Sequence, residues 1–318
     1  MNKLPLIKPL IKTNVFDQCF IASITDNSRD VHKNSLFVAR QGAESHGKEF
    51  IKEAVKKGAS CIISDQELNE EIDIPIYCIN NLEDIVVEIL FRFHELSEDD
   101  FIFHGVTGTN GKTTTAFMAH NIMRELKKPS VYIGTLGAII NDELKQTKGN
   151  TTPGIFELFE ILQTCKLEQK TYVFLEISSH ALVQKRLCNL SFLQTIILNI
   201  QSDHLDYHKT ETNYIDAKLS IANLNNQNPT IISIDQIQDL LPRLSEVQKD
   251  QLLKTKFLSA KNPSASFKYS FVYNPEGPSR INLDFPSLAL EARVSLFLKF
   301  NIENYISAIA LISEHVDS

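Results

Sequence analysis

The sequence predicts an α/β protein with a small N-terminal α/β domain and a larger central domain built around a mostly parallel sheet. Short, continuous apolar runs alternate with helical segments, a pattern typical of parallel strands covered on both faces. The chain has 318 residues, enough for about two domains of ~150 residues each. The polar cluster of residues 97–100 is the best linker candidate. We therefore expect domains at residues 1–98 and 99–318.

The N-terminal domain is predicted from alternating strands and helices. Buried apolar runs indicate three strands, Ser35–Ala39, Ala59–Ser64 and Ile74–Ile79. Apolar periodicity indicates two helices, Glu49–Lys57 and Leu82–Leu96. The first of these helices is expected to end at Gly58, because glycine readily adopts the left-handed conformation that terminates helices.

The central domain repeats the order of strand and helix. Its predicted strands are Phe101–Phe103, Ser130–Gly134, Tyr172–Ile177 and Thr195–Asn199. Its predicted helices are Ala116–Met123, Gly154–Cys165, Tyr214–Ile221, Leu240–Leu253 and Asn301–Glu314. The stretch Phe267–Leu283 indicates antiparallel strands joined by Pro/Gly turns.

Composition and charge exclude several classes of protein. The net charge of −7 argues against a nucleic-acid binder, which needs a basic face for phosphate backbones. Five scattered cysteines without a C-x-x-C pair suit a reducing compartment. No apolar run approaches the ~20 residues that span a bilayer. We expect a cytoplasmic protein that does not bind membranes or nucleic acid.

A glycine-rich segment follows the first strand of the central domain and is the most informative motif. Glycines at 105, 108 and 111 precede Lys112 and Thr113. Strand, glycine turn and helix together are typical of a loop that cradles phosphates, although the usual first glycine is replaced here by Val106. Lys112 would reach the terminal phosphates of ATP or GTP, and Thr113 would hold Mg²⁺. The residues predicted to bind nucleotide are Gly108, Thr109, Asn110, Gly111, Lys112, Thr113 and Thr114.

Polar residues also follow two further strands of the predicted sheet. Ligands of parallel sheets bind at the carboxyl ends of strands, so the segments 105–115, 176–180 and 199–208 should converge. Glu176 is equally compatible with a Mg²⁺ ligand and with a strand-terminal residue that caps the next helix. His204 and His208 are spaced for one helix face. That spacing leaves open a zinc site, one histidine on a second Mg²⁺, or an ordinary polar loop. By pattern alone, Lys218 is an exposed lysine on an amphipathic helix.

Together these motifs resemble the Mur ligases, ATP-dependent amide-bond formers of peptidoglycan synthesis. Within that family the chain is similar to the branch that adds the third amino acid of the stem peptide. The segments that carry the resemblance are Asn27–Arg29, Leu36–Ala39, Gly105–Thr115, Asn150–Pro153, Glu176–Arg186, Asp203–His208, Tyr214 with Ala217 and Lys218, and Phe300–Asn304.

The resemblance implies an activity and roles for individual residues. The activity is addition of meso-diaminopimelate or L-lysine to UDP-MurNAc-L-Ala-D-Glu through an acyl phosphate, by a monomer that uses ATP and Mg²⁺. Lys112, His204 and a carbamylated Lys218 would be catalytic. Metal ligands would be Thr113, Glu176, His204 and the carbamylated Lys218. Asn301 and Asn304 would lie on the adenine side of ATP. The UDP-MurNAc-dipeptide would contact Asp26, Ser28, Asn150, Thr151, Thr152, Ser178, Gln184 and Arg186.

The chain departs from the family pattern after Asn304. The family has a further C-terminal domain there, which holds the incoming amino acid, and these 318 residues do not contain it. We therefore expect a two-domain piece without full activity. The alternatives are another Mur or folylpolyglutamate-type ligase, or a non-catalytic nucleotide-binding module.

Overall fold

The computed structural model describes residues 1–11, 16–42, 45–67, 71–165, 170–225 and 228–316. The chain forms two compact units. The first comprises residues 1–100, 154–165 and 184–190, and the second comprises residues 101–153, 166–183 and 191–318. Segments from later in the chain thus join the N-terminal hundred residues. The functional domain boundary near residue 98 stays a prediction.

The first unit contains a four-stranded parallel sheet with the order β1-β2-β3-β4. Its strands are β1 (Ser23–Thr25), β2 (Ser35–Ala39), β3 (Ala59–Ser64) and β4 (Ile76–Cys78), and its first helices are α1 (Leu4–Ile11), α2 (Ile51–Lys57) and α3 (Leu82–Phe93). Phe37 and Ile62 from the central strands pack with Ile51 and Ala54 of α2. Strands β2 and β3 have their predicted bounds, and α2 ends at Gly58, whose φ is +104°.

The second unit contains an eleven-stranded sheet with the order β15-β14-β13-β12-β11-β10-β5-β9-β6-β7-β8. Its strands are β5 (Phe101–Thr107), β6 (Ser130–Gly134), β7 (Gly137–Ile140), β8 (Glu143–Lys145), β9 (Thr171–Glu176), β10 (Gln194–Ile197), β11 (Ile231–Ser233), β12 (Lys256–Ser259), β13 (Phe267–Val272), β14 (Ser279–Phe285) and β15 (Leu288–Val294). Pairing is parallel from β13 to β6 and antiparallel at both edges. The prediction of a mostly parallel central sheet is confirmed.

Helices α4 and α10 contact each other and cover one face of this sheet. The helices that follow α3 are α4 (Lys112–Glu125), α5 (Ile155–Leu162), which belongs to the first unit, α6 (Ser179–Val183), α7 (Leu205–His208), α8 (Glu211–Leu219), α9 (Glu246–Leu253) and α10 (Lys299–Ile312). Ala116 and Ala119 of α4 and Ile302 of α10 share a buried cluster with Val106 and Ile196 of the sheet. This packing fixes the start of α4 beside the carboxyl ends of β5 and β10.

The prediction of one helix over Leu240–Leu253 is wrong. A short 3₁₀ turn, Leu241–Arg243, precedes α9. Pro242 lacks the N–H that a continuous helix needs, and Ser245 forms a capping box with Gln248 that starts a new helix. In the described part of the chain, no helix combines the length and the apolarity needed to cross a membrane.

Candidate functional site

The glycine-rich segment forms a loop between β5 and α4 that is held by the end of β10. The N–H of Thr109 donates to the carbonyl of Asn199 at 3.1 Å, and the N–H of Asn110 donates to the Asn199 side-chain oxygen at 2.8 Å. Gly111 caps α4 with φ +86°, and a Cβ there would lie 2.5 Å from Oδ1 of Asn304. Glycine is therefore required at this position. The start of α4 presents backbone N–H groups that have no partner within the helix, together with the positive end of the helix dipole, and both suit an anion.

Lys112 bends back over this loop. Its Nζ donates to the carbonyls of Gly108 and Thr109, each at 3.0 Å. Burial lowers the pKa of Lys112, and the carboxylates of Glu176 and Asp203 oppose that effect. The ammonium is thus placed above the backbone groups that would hold phosphate, and its hydrogen-bond partners among the described residues are neutral carbonyls.

Glu176 is fully buried at the end of β9 and gathers several donors. Its Oε2 accepts from Oγ1 of Thr113 at 2.9 Å and from Oγ1 of Thr135 at 3.1 Å. Its Oε1 accepts from the N–H of Thr135 at 2.9 Å and from the Tyr132 hydroxyl. A Cβ on Gly134 would lie 2.0 Å from Oε1, so the adjacent strand needs glycine to admit this carboxylate.

The alternative that Glu176 caps the next helix is not what the structure shows. Ser178 fills that role, because its Oγ accepts from the N–H of Ala181 at 3.1 Å. Burial and the neighbouring Glu176 carboxylate raise the pKa of Tyr132, which keeps the phenol protonated as a donor.

The pair of Thr113 and Glu176 fits a magnesium ion that is completed by phosphate and water. Mg²⁺ prefers oxygen ligands and is usually held by one or two carboxylates together with substrate phosphates. A hydroxyl and a carboxylate oxygen 2.9 Å apart at the phosphate loop match that chemistry. Within the described ranges, no group of three or more His, Cys, Asp or Glu side chains is placed to hold a metal. Thr113 and Glu176 therefore fit a Mg²⁺ ion whose remaining ligands come from phosphate and water. The described residues give no support to a zinc site.

Lys218 is buried, and the expectation of an ordinary exposed lysine is wrong. Only 2% of Lys218 is exposed. From α8 its Nζ donates to the Gly108 carbonyl at 2.7 Å and to Oγ1 of Thr107 at 3.4 Å. Burial and the nearby Lys112 ammonium lower the pKa of Lys218 to about 7. Two lysines thus share the Gly108 carbonyl, and one of them is partly a neutral amine near pH 7.

His204 and His208 do not share a helix face. His204 precedes α7 with φ +50°, is about half exposed, and its Nε2 lies 3.4 Å from Oδ2 of Asp203. His208 is buried with its Nε2 2.9 Å from Oγ of Ser179. The ring of His180 contacts both, with its centre 5.0 Å from that of His204 and 5.6 Å from that of His208. Because His204 has a left-handed backbone at the start of α7, its side chain is directed away from that of His208.

A cleft of about 440 Å³ opens beside the phosphate loop. Asn110, Gly111 and Thr114 line one part of it, and Asn304 lines another. Oδ1 of Asn304 accepts from Oγ1 of Thr115 at 3.5 Å, which ties α10 to α4. Asn301 does not line this cleft, and its side chain donates to the Phe297 carbonyl at 2.9 Å. The structure therefore places Asn304, rather than Asn301, at the cleft.

Of the residues expected to contact the peptide substrate, three lie around Glu176. Oγ1 of Thr152 donates to the Glu176 carbonyl at 2.8 Å and accepts from the N–H of Ser178 at 2.9 Å. Oγ1 of Thr151 lies within hydrogen-bond distance of Oγ1 of Thr135, at 3.2 Å. Asn150 is exposed next to them. These polar groups extend the site beyond the phosphate loop.

The other expected substrate residues belong to the first unit. Asp26 lines a cavity of about 130 Å³ and accepts from Nε of Arg40 at 3.0 Å. Ser28 is buried and donates to Oε2 of Glu53 at 2.8 Å. In a later segment of the same unit, Nε of Arg186 donates to Oε1 of Gln184 at 2.7 Å.

Comparison with protein families identifies this architecture. Residues 106–312 match the family model described as the Mur ligase middle domain, and residues 20–90 match the one described as the Mur ligase family catalytic domain. The chain belongs to the Mur ligase family. The resemblance inferred from the sequence motifs is confirmed.

Similar proteins agree with this assignment. A UDP-N-acetylmuramoyl-L-alanyl-D-glutamate--2,6-diaminopimelate ligase from Listeria monocytogenes is 28% identical over 315 residues, which cover 98% of this chain and 63% of that protein. A ligase of the same name from Cytophaga hutchinsonii is 35% identical over 200 residues, 62% of this chain and 41% of that protein. The chain thus spans less than two thirds of the length of these relatives.

Solved structures show the same fold. A structure named as a UDP-N-acetylmuramoyl-L-alanyl-D-glutamate--2,6-diaminopimelate ligase superposes with a TM-score of 0.73 at 25% identity, over 93% of this chain and 60% of that one. A MurF ligase from Thermotoga maritima in complex with ADP superposes with a TM-score of 0.55 at 18% identity, over 96% of this chain and 65% of that one.

Proposed function

We propose that this chain contains the nucleotide-binding and UDP-sugar-binding parts of an ATP-dependent amide ligase of peptidoglycan precursor synthesis. The reaction is addition of meso-diaminopimelate or L-lysine to UDP-MurNAc-L-Ala-D-Glu. The observation that supports it best is the loop of Lys112 and Thr113 beside the buried Glu176. The names of the relatives from Listeria and Cytophaga favour diaminopimelate. The protein acts as a cytoplasmic monomer.

The proposed reaction has two steps that this geometry can assist. A substrate carboxylate oxygen bonds to the γ-phosphorus of ATP, the bond to the bridging oxygen breaks, and ADP leaves. The neutral amine of the incoming amino acid then bonds to the acyl carbon, the bond from that carbon to the phosphate oxygen breaks, phosphate leaves, and the nitrogen loses a proton. Lys112 and the loop N–H groups stabilise the charge on the transferring group. Thr113 and Glu176 would hold Mg²⁺, which would supply further neutralisation of that charge.

Lys218 is proposed to be carbamylated and to serve the same step. A neutral amine bonds to the carbon of CO₂ and loses a proton, which gives an anionic carbamate. The lowered pKa of about 7 makes that amine available near neutral pH. The change from a cation to an anion would remove the repulsion between Lys218 and Lys112, and it would create an oxygen ligand for a second Mg²⁺ shared with His204.

Substrate recognition is proposed for both parts of the chain. Asp26 and Ser28, in residues 1–98, contact the uridine nucleotide. Residues 99–318 bind ATP through Gly108–Thr114 and, on the adenine side, through Asn304, whereas Asn301, also expected there, lies outside the cleft. The peptide portion contacts Asn150, Thr151, Thr152, Ser178, Gln184 and Arg186.

Binding measurements by calorimetry test this proposal. The chain should bind Mg·ATPγS and, separately, UDP-MurNAc-L-Ala-D-Glu. Lys112→Ala should weaken nucleotide binding about 10-fold or more, because it removes charge-assisted hydrogen bonds to phosphate. Binding of the UDP-sugar peptide should be unchanged in this variant, and the exposed control Lys254→Ala should bind both ligands normally.

Other outcomes would contradict the proposal. Binding of a folate instead of the UDP-sugar peptide would identify a folylpolyglutamate-type ligase. Nucleotide binding without any UDP-sugar binding would indicate a nucleotide-binding module alone. Absence of Mg·ATPγS binding would refute the assignment of the loop. Light scattering checks the monomer.

A further inference from the structure

One face of α10 points into the cleft beside the phosphate loop. Phe300, Glu303, Asn304 and Ser307 all line the cleft, and their spacing of three and four residues places them on one side of the helix. Gln236, which follows β11, lines the cleft with them. The family resemblance implies roles for Asn301 and Asn304 on this helix, whereas Glu303 has no role in the proposed reaction.

Glu303 is a half-buried carboxylate with an incomplete set of partners. Nε2 of Gln236 donates to its Oε2 at 3.0 Å. Among the residues that the structure describes, none donates a hydrogen bond to Oε1 and none forms an ion pair with Glu303. Burial raises the pKa of Glu303, with a smaller opposing effect from Lys299. Oε1 of Glu303 is not among the fully buried atoms that lack a partner, so it is open to the cleft as an acceptor that a donor group of a ligand can reach.

The arrangement of the cleft limits what that donor can be. Asn304 lies against Gly111 at the phosphate loop, whereas Phe300 lies one helical turn away from it, toward the N-terminus of α10. Phe300 is 56% exposed and offers an aromatic face for a base. A carboxylate repels phosphate, so Glu303 suits the neutral nucleoside portion of a nucleotide.

We propose that Glu303, oriented by Gln236, accepts a hydrogen bond from the nucleoside of the bound nucleotide and so contributes to nucleotide selection. The donor is either a ribose hydroxyl or the exocyclic amine of the base, which present the same chemistry to a carboxylate. This inference rests on the proposed function of the cleft as the ATP site. It predicts that removal of the Glu303 carboxylate weakens binding of a complete nucleotide but does not weaken binding of inorganic tripolyphosphate.

The test compares affinities for defined probes. Glu303→Ala should weaken Mg·ATPγS binding about 10-fold, because the lost hydrogen bond involves a charged group. Glu303→Gln keeps the shape and one acceptor oxygen, so its loss should be smaller. Binding of magnesium tripolyphosphate should be unchanged or tighter in both variants, because the removed charge repels phosphate. Glu276→Ala, at an exposed turn, is the matched control.

Nucleotide analogues then identify the donor. The analogue that lacks the donor group should bind to the wild-type chain as weakly as the complete nucleotide binds to Glu303→Ala. The analogues are 2′-deoxyATP, 3′-deoxyATP and purine riboside triphosphate. The inference is overturned if both variants bind Mg·ATPγS as tightly as the wild type, or if the ratio of wild-type to variant affinity is the same for every nucleotide. If the wild-type chain does not bind Mg·ATPγS, the proposed ATP site is refuted, and this inference with it.

Discussion

Lys218 should titrate near neutral pH in the folded chain. Burial and the Lys112 ammonium lower its pKa from 10.5 to about 7. That difference corresponds to about 5 kcal/mol against the charged form, at ~1.4 kcal/mol for each pH unit. The value follows from the position of Nζ, which is buried against the Gly108 carbonyl and, in the part of the chain that the structure describes, has no carboxylate as a hydrogen-bond partner.

NMR of ¹³Cε-labelled lysine measures this pKa directly. In CO₂-free buffer, the wild-type chain is titrated from about pH 6 to about pH 11. Lys218→Met identifies the Lys218 signal by removing it. We expect a midpoint near 7. Addition of ¹³C-bicarbonate near neutral pH should then produce a carbamate signal in the wild type and none in Lys218→Met.

The same pKa has a consequence for stability. Between about pH 7 and 10.5 the unfolded chain holds more protons on Lys218 than the folded chain does. Unfolding free energy should therefore rise with pH across this window, by up to about 1.4 kcal/mol per pH unit, and the full penalty applies below pH 7. Lys218→Met should lose this slope, whereas the exposed Lys254→Met should retain it. A Lys218 midpoint near the ordinary lysine value, together with identical slopes for wild type and Lys218→Met, would show that burial and Lys112 do not lower the pKa of Lys218.

Two further substitutions test local features. Gly111→Ala should destabilise the chain by more than about 1 kcal/mol and weaken Mg·ATPγS binding, because it combines a positive φ with a clash against Asn304. Gly149 has a similar φ but open space around it, so Gly149→Ala should lower the stability measured by thermal unfolding by less. Equal losses of stability in the two variants would contradict a clash at Gly111. Ser245→Ala should lower stability by about 1 kcal/mol because it removes the capping box of α9, and a melting temperature equal to that of the exposed control Ser264→Ala would contradict this.

Local signals in the sequence predicted the central strands well. Ser35–Ala39, Ala59–Ser64 and Ser130–Gly134 have their predicted bounds because each is a buried apolar run beside a polar or glycine boundary. The hairpin of β7 and β8 was not predicted, since Glu143–Lys145 is a short, polar edge strand without a strand pattern. The error at α9 arose because Leu240–Leu253 was interpreted as one polar helix, although Pro242 and the Ser245 cap interrupt it.

The site was less accessible to sequence reasoning because burial depends on tertiary packing. The phosphate loop is contiguous, so its glycines, Lys112 and Thr113 could be read directly from the sequence. Lys218 is buried on α8 together with Tyr214, Ile215 and Ala217. The pattern of polar and apolar residues therefore does not show which face of this helix is exposed. Glu303 reaches the cleft only because α10 packs beside α4, which no local pattern reveals.

A crystal structure of this chain with Mg²⁺ and a non-hydrolysable ATP analogue would show whether ATP binds at the glycine-rich loop. Phosphate oxygens should lie against the backbone N–H groups of residues 108–114 and Nζ of Lys112. Mg²⁺ should lie about 2.1 Å from Oγ1 of Thr113 and from one Glu176 carboxylate oxygen. A triphosphate bound away from this loop, or Mg²⁺ that contacts neither side chain, would contradict it.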